Sequence, residues 1–183
     1  MPILREELSS YPPDLFDGFD QGDRLWWAVY TKARQEKALA RELLQQSVPF
    51  YLPQIPKTAL RRGRKFKSLI PLFQGYVFLL GTPDERRTAL TTNRVSRVLD
   101  VADGGQLFHD LKQVRKLIES NAPLSVESRL DVGRRVRVKS GSLMGLEGTV
   151  QSRRGESRLV VAVQFLQQGV SMVIDDFNLE PLD

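Results

Sequence analysis

The sequence predicts an α+β fold, an antiparallel sheet with helices followed by a small all-β barrel, on three observations. Across residues 24–121, short aromatic or β-branched runs alternate with runs of helix formers in the order strand, helix, strand, strand, helix, strand, helix. From residue 131 onward, short β-rich runs are separated by Gly141, Gly145, Gly148, Gly155 and Gly169, the texture of a small barrel. Between the two, residues 122–130 hold Pro123, Ser125 and Ser128 with neither period, and read as a linker. Residues 1–23 carry Pro12-Pro13, Gly18, Gly22 and scattered acids, and read as a flexible or loosely docked acidic extension with Leu15, Phe16 and Phe19 as docking candidates.

Each element has its own signal. Residues 25–30, LWWAVY, are aromatic and short, as a strand requires. Residues 33–46 change to Ala, Leu, Glu, Lys, Arg and Gln, with Leu39 and Leu43 four apart beside Ala40 and Leu44, which predicts an amphipathic helix. Residues 48–55 contain Pro49 and Pro53, which cannot donate to a ladder, so they predict an edge or short strand. The stretch 69–80, LIPLFQGYVFLL, reads as a buried central strand entered through a kink at Gln74-Gly75. An acidic first turn after Pro83 predicts a helix over 84–91. A strand follows over 94–101, closed by Asp103-Gly104-Gly105. Leu107, Leu111, Val114 and Ile118 then mark one face of a helix over 108–120. In the last third, residues 134–139, 148–152, 158–165 and 172–174 are the predicted strands.

Composition narrows the chemistry. No cysteine excludes disulfides and thiolate sites, and a single histidine, His109, leaves no His pair for a metal. No catalytic site, cofactor or metal is expected. No apolar run approaches the roughly 18 residues of a membrane helix, and no signal-peptide layout opens the chain, so a cytoplasmic protein without membrane contact is expected. The net charge of +5 conceals a division, because residues 1–23 set six carboxylates against Arg5. The remaining body is strongly basic and calls for an acidic partner such as nucleic acid. The basic run from 57 to 67 holds Lys57, Arg61, Arg62, Arg64, Lys65 and Lys67 without one acid, and as a mobile loop it suits phosphates.

Two motifs carry a resemblance. Val138, Gly141, Gly145, Gly148 and Val150, spaced as V-x-x-G-x-x-x-G-x-x-G-x-V, resemble the KOW motif, in which glycine turns return one strand against the next. Upstream, Trp26-Trp27, Glu36, Leu52-Pro53, Phe73-Gln74-Gly75-Tyr76-Val77 and the strand 94–98 before Gly104-Gly105 resemble the N-terminal (NGN) domain of the NusG family of transcription elongation factors. The resemblance covers residues 24–183: an NGN-like domain over 24–121 and a KOW domain over 131–183. Gln74 stands where the family has proline, Arg134 and Arg135 stand near a usual acid, and Leu143 replaces a usual Phe. The wording LIPLFxGYVF is closer to the specialised antitermination paralogues.

The resemblance implies a non-catalytic, monomeric factor. Its N-terminal domain binds the clamp helices of RNA polymerase, keeps the clamp closed and suppresses pausing or termination. Trp26, Tyr30, Phe73 and Tyr76 are the residues implied for that contact, although Phe73 and Tyr76 need not share a face across a Gly75 kink. The basic run would meet non-template DNA near the transcription bubble. The KOW domain would recruit a ribosomal or termination-factor partner, and its glycines and β-branched runs favour a barrel over the helical hairpin some members form. The alternative is an RNA- or ribosome-associated KOW protein acting through 134–139 and Arg153-Arg154.

Overall fold

The computed structural model describes residues 8–175 and 178–182, and the chain divides between Gly104 and Gly105 into two units, each with its own sheet. The first unit contains β1 (Ser10–Tyr11), β2 (Leu25–Thr31), α1 (Glu36–Gln45), β3 (Phe50–Tyr51), β4 (Gln54–Arg61), β5 (Arg64–Pro71), β6 (Tyr76–Gly81), α2 (Pro83–Thr91) and β7 (Val95–Asp100). Five strands pair antiparallel in the order β1-β3-β6-β2-β7, while β4 and β5 pair only with each other. The predicted stretch 69–80 thus splits: its first residues end β5, and its second half is the central strand β6.

Val77, Phe78, Leu79 and Leu80 are fully buried, so β6 is covered on both faces, as a continuous apolar run demands. Val77 and Leu79 join Val29 and Phe50 against Leu39 and Leu43, the apolar stripe of α1. That helix starts at Glu36 rather than 33 because Arg34 takes a left-handed φ of 61° and interrupts the turn. At α2 the acidic first turn is a full capping box: Thr82 Oγ1 accepts from the Glu85 N–H at 3.2 Å and the Glu85 carboxylate accepts from the Thr82 N–H at 2.8 Å. Arg24 donates twice to the same carboxylate, at 3.1 and 3.0 Å.

On the opposite face the ladder places Trp26 beside Leu80 and Ala28 beside Phe78. The N-terminal extension lies here. Of the expected flexible segment 1–23, residues 1–7 fall outside the described residues; from residue 8 the chain is docked. Leu15 and Phe16 are buried, Phe16 stacking on Trp26 at 6.3 Å and 17° and meeting Tyr51 edge-on at 4.9 Å. Of the two readings of the proline-containing segment the short strand is the one observed: β3 has two residues, and β1 adds to it, so it does not lie at the sheet edge. Two apolar anchors outweigh the polar composition of a short segment.

The second unit contains α3 (Gly104–Glu119), which begins at the division, then β8 (Ser125–Glu127), β9 (Arg134–Val138), β10 (Glu147–Arg153), β11 (Glu156–Val163), β12 (Gln168–Val173) and β13 (Leu179–Pro181). The strands form an antiparallel sheet in the order β13-β9-β10-β11-β12-β8. Gly104-Gly105, expected to close a strand, open the helix instead. The helix assigned from sequence to the first domain hydrogen-bonds to this second sheet: Gln113 accepts from the Glu147 N–H at 2.8 Å, Asp110 accepts from the Gln164 N–H at 3.0 Å, and Lys116 donates to the Met144 carbonyl at 2.6 Å.

The expected linker 122–130 contains β8, which pairs with β12. Its Glu127 is buried, accepting from Ser171 at 2.5 Å and bonded to Arg153. Three residues are too few to show a period, and β13 escaped prediction for the same reason. The KOW glycines divide by cause. Gly141 and Gly145 turn with φ of +87°, whereas a Cβ on Gly148 would lie 2.4 Å from the Val160 carbonyl oxygen, so that glycine serves close strand approach. Among the described residues no helix is long and apolar enough to cross a membrane.

The docked extension makes a prediction. Phe16→Ala is expected to cost roughly 3–5 kcal/mol, as for other buried Phe truncations, and to redshift Trp fluorescence in the native state, both read in a urea titration. An unchanged titration would mean that residues 8–23 rest on the sheet without supporting it.

Candidate functional site

The geometry around Gly75 organises one surface. The Tyr76 N–H donates to the Phe73 carbonyl at 3.1 Å, closing a four-residue turn in which Gly75, at φ +88°, takes the position that a type II turn reserves for glycine. Gln74 occupies the preceding position, which proline presets and other residues can adopt. The turn is gripped from two sides. The Gly75 N–H donates to Glu36 at 2.7 Å and its carbonyl accepts from the Thr31 N–H at 2.8 Å. A side chain at 75 has no room either, because a Cβ would stand 2.8 Å from Cε2 of Tyr30. Glu36 is buried, and its reach into this turn has no counterpart in the sequence pattern.

Above the turn lies a row of side chains. Tyr30 pairs with Tyr76 on one neighbouring strand and with Arg97 on the other. The two rings meet at 5.2 Å and 61°, and the Arg97 guanidinium stands 5.6 Å from the Tyr30 centroid. Tyr30 is 37% exposed and Tyr76 partly so. The other two sequence candidates sit deeper: Trp26 is 4% exposed under Phe16, and Phe73 is 1% exposed with its ring edge-on to Phe78 at 6.4 Å. The four expected anchors therefore divide into two accessible tyrosines and two buried rings. Arg97 was not anticipated, and only its strand pairing with Tyr30 reveals it.

The basic run is not a mobile loop. It is the ordered β4–β5 hairpin, closed by Arg62-Gly63 with φ of 49° and 74°, both positive as a type I′ turn requires. Gly63 is the residue that allows so tight a closure. All residues from 56 to 68 are exposed, and this part of β4 spans roughly 20 Å at about 3.3 Å per residue. Lys57, Arg61, Arg62, Arg64, Lys65 and Lys67 lie within it, and among the described residues none of the six forms an ion pair with a carboxylate.

The second unit is different. Arg137 donates to Glu147 at 3.0 and 2.6 Å and to Glu180 at 3.5 Å, and the Glu147 contact above all holds its pKa above the ordinary value. Arg153 is bonded to Glu127 and donates to Asp131 at 3.3 Å. These arginines, central to the alternative of an RNA-binding barrel, already serve internal carboxylates. His109 is exposed.

A family model described as transcription termination factor nusG matches residues 24–128, more than half of the chain. The chain belongs to the NusG family. The transcription termination/antitermination protein NusG of Staphylococcus epidermidis is 23% identical over 177 residues, covering 88% of this chain and 97% of that protein. Among solved structures, one on domain interaction in Thermotoga maritima NusG aligns with 18% identity and a TM-score of 0.45 over 90% of this chain and 100% of that one. The MjSpt4:Spt5 complex aligns with 13% identity and a TM-score of 0.30, over 87% and 97%. As a NusG-family termination/antitermination factor, the chain carries the gripped turn and the ribbon inside the matched region. The Phe16–Trp26 stack instead joins a side chain outside that region to one within it.

The grip on Gly75 is testable. Glu36→Ala removes a charged acceptor from a partly buried N–H and is expected to cost about 1.5–3 kcal/mol, while Glu36→Gln keeps an acceptor and loses less. Equal losses in urea unfolding would show that Glu36 acts through its charge elsewhere.

Proposed function

We propose that this chain is a non-catalytic elongation and antitermination factor. Its first unit docks on the clamp helices of RNA polymerase and keeps the clamp closed, which suppresses pausing or termination. The observation that carries the reading is the Tyr76–Tyr30–Arg97 row: two rings and a guanidinium, side by side and open to solvent, on a turn held at both its N–H and its carbonyl in a NusG-family chain. Tyr and Arg are enriched among the few side chains that carry most of the energy of protein interfaces. Trp26 and Phe73 are buried and take no direct part.

The β4–β5 ribbon supplies the second contact, with non-template DNA near the transcription bubble. Six unpaired cations on an ordered projection favour phosphates, and a stiff hairpin holds them at a defined reach. The second unit recruits a ribosomal or termination-factor partner through surfaces other than its carboxylate-bound arginines.

Tyr30→Ala combined with Tyr76→Ala is expected to weaken polymerase binding by at least tenfold, in the range of interface hot spots, with little loss of stability. Biolayer interferometry against core polymerase measures this, and an unchanged affinity would reject the docking surface. Phe73→Ala is unsuited to the test because it opens the core. Neutralising Arg61, Arg62 and Arg64 together is expected to reduce DNA crosslinking in an elongation complex while polymerase affinity persists. Loss of both would place the ribbon on protein instead.

A further inference from the structure

The ladder register sorts the ribbon's side chains onto two faces. Directly opposed residues share a face, and faces alternate along each strand. Arg61 with Arg64, Ala59 with Phe66, and Lys57 with Ser68 therefore stand on one face, while Leu60 with Lys65 and Thr58 with Lys67 stand on the other. Phe66 is the one aromatic residue of the ribbon and is 50% exposed. Across from it is Ala59, whose methyl group is too short to cover a ring. Its remaining neighbours on that face are Arg64 and Ser68 along the strand and Arg61 and Lys57 on the diagonals, within reach of long side chains.

A flat apolar surface ringed by three cations, with no acid anywhere on the ribbon, fits a ligand that offers a flat apolar face and negative charge together. A nucleotide whose base is unstacked does so: base on ring, flanking phosphates on cations. A duplex offers the phosphates but keeps its base faces covered, so it would engage the cations and leave Phe66 idle.

We infer that Phe66 is a stacking platform for an unpaired nucleobase, with Arg61, Arg64 and Lys57 holding the adjacent phosphates. The inference rests on the reading of the ribbon as a nucleic-acid contact, and adds the residue on which an unpaired base of that strand stacks. Leu60, on the other face, takes no part.

The full-length protein is titrated by fluorescence anisotropy with labelled oligothymidine, an abasic strand of the same length, and a duplex. Oligothymidine is expected to bind more tightly than the abasic strand. Phe66→Ala is expected to lower affinity for oligothymidine about tenfold and leave the abasic strand and the duplex unchanged, with Phe66→Trp restoring it and Leu60→Ala without effect. The inference is overturned if the wild-type protein does not distinguish oligothymidine from the abasic strand. It is equally overturned if Phe66→Ala affects all three ligands alike, which would make the ring a prop for the ribbon, or none of them, which would assign it to a protein contact. The Arg61, Arg62 and Arg64 variant separates the two levels. Its loss of all three ligands supports the ribbon as a nucleic-acid contact whatever Phe66 does, and full retention of all three rejects that contact itself.

Discussion

A strand with apolar side chains on both faces must be covered twice, and β6 imposes that requirement on the whole first unit. On one face α1 meets it with Leu39 and Leu43. On the other, Phe16 and Leu15 come from outside the region that the family model matches, and cover the side on which Trp26 lies. Partially uncovering such a strand exposes large apolar area at about 25 cal/mol per Å², so neither cover is dispensable. The exposed end of β6 follows from the same constraint. Where the double cover stops, at Tyr76, the neighbouring ring of Tyr30 is also free, and the chain changes from core to contact surface within one residue.

The ribbon obeys the opposite rule. An isolated two-stranded hairpin with neither face covered gains little from packing, and residues 56–68 are all exposed. Its order rests on the ladder and on the turn at Arg62-Gly63. Side chains there are released from any structural duty, which is why cations, a phenylalanine and a leucine can stand together in water without disturbing the sheet. The barrel's arginines lack that freedom: Arg137 is held by Glu147 of the neighbouring strand, and Arg153 by the buried Glu127 of β8.

Elements with sustained periods were legible in the sequence. β2, α1, β6, α2 and most of the second sheet lie within a few residues of their predicted positions, because burial on one face repeats at the spacing of the backbone. What escaped were features decided by single long-range contacts. The extension reads as flexible or loosely docked, with Phe16 among its docking candidates, but its partner Trp26 has no local signal. β8 is three residues long and is defined by its partner β12. Of the site, the aromatic cluster and the basic run were visible as composition. The split of the four rings into exposed and buried was not, since it depends on what covers each face. The role of Glu36 was hidden because its target, Gly75, is 39 positions away.

The stack between Phe16 and Trp26 also has a bearing on competition. Cover and covered surface belong to one chain and stand ten positions apart, so their encounter is unimolecular and the effective concentration of the cover is of millimolar order. Dilution cannot remove it. A molecule seeking the Trp26 side of the sheet has to displace a ligand that never diffuses away, and weak or adventitious apolar binders are filtered out before any affinity of their own is counted.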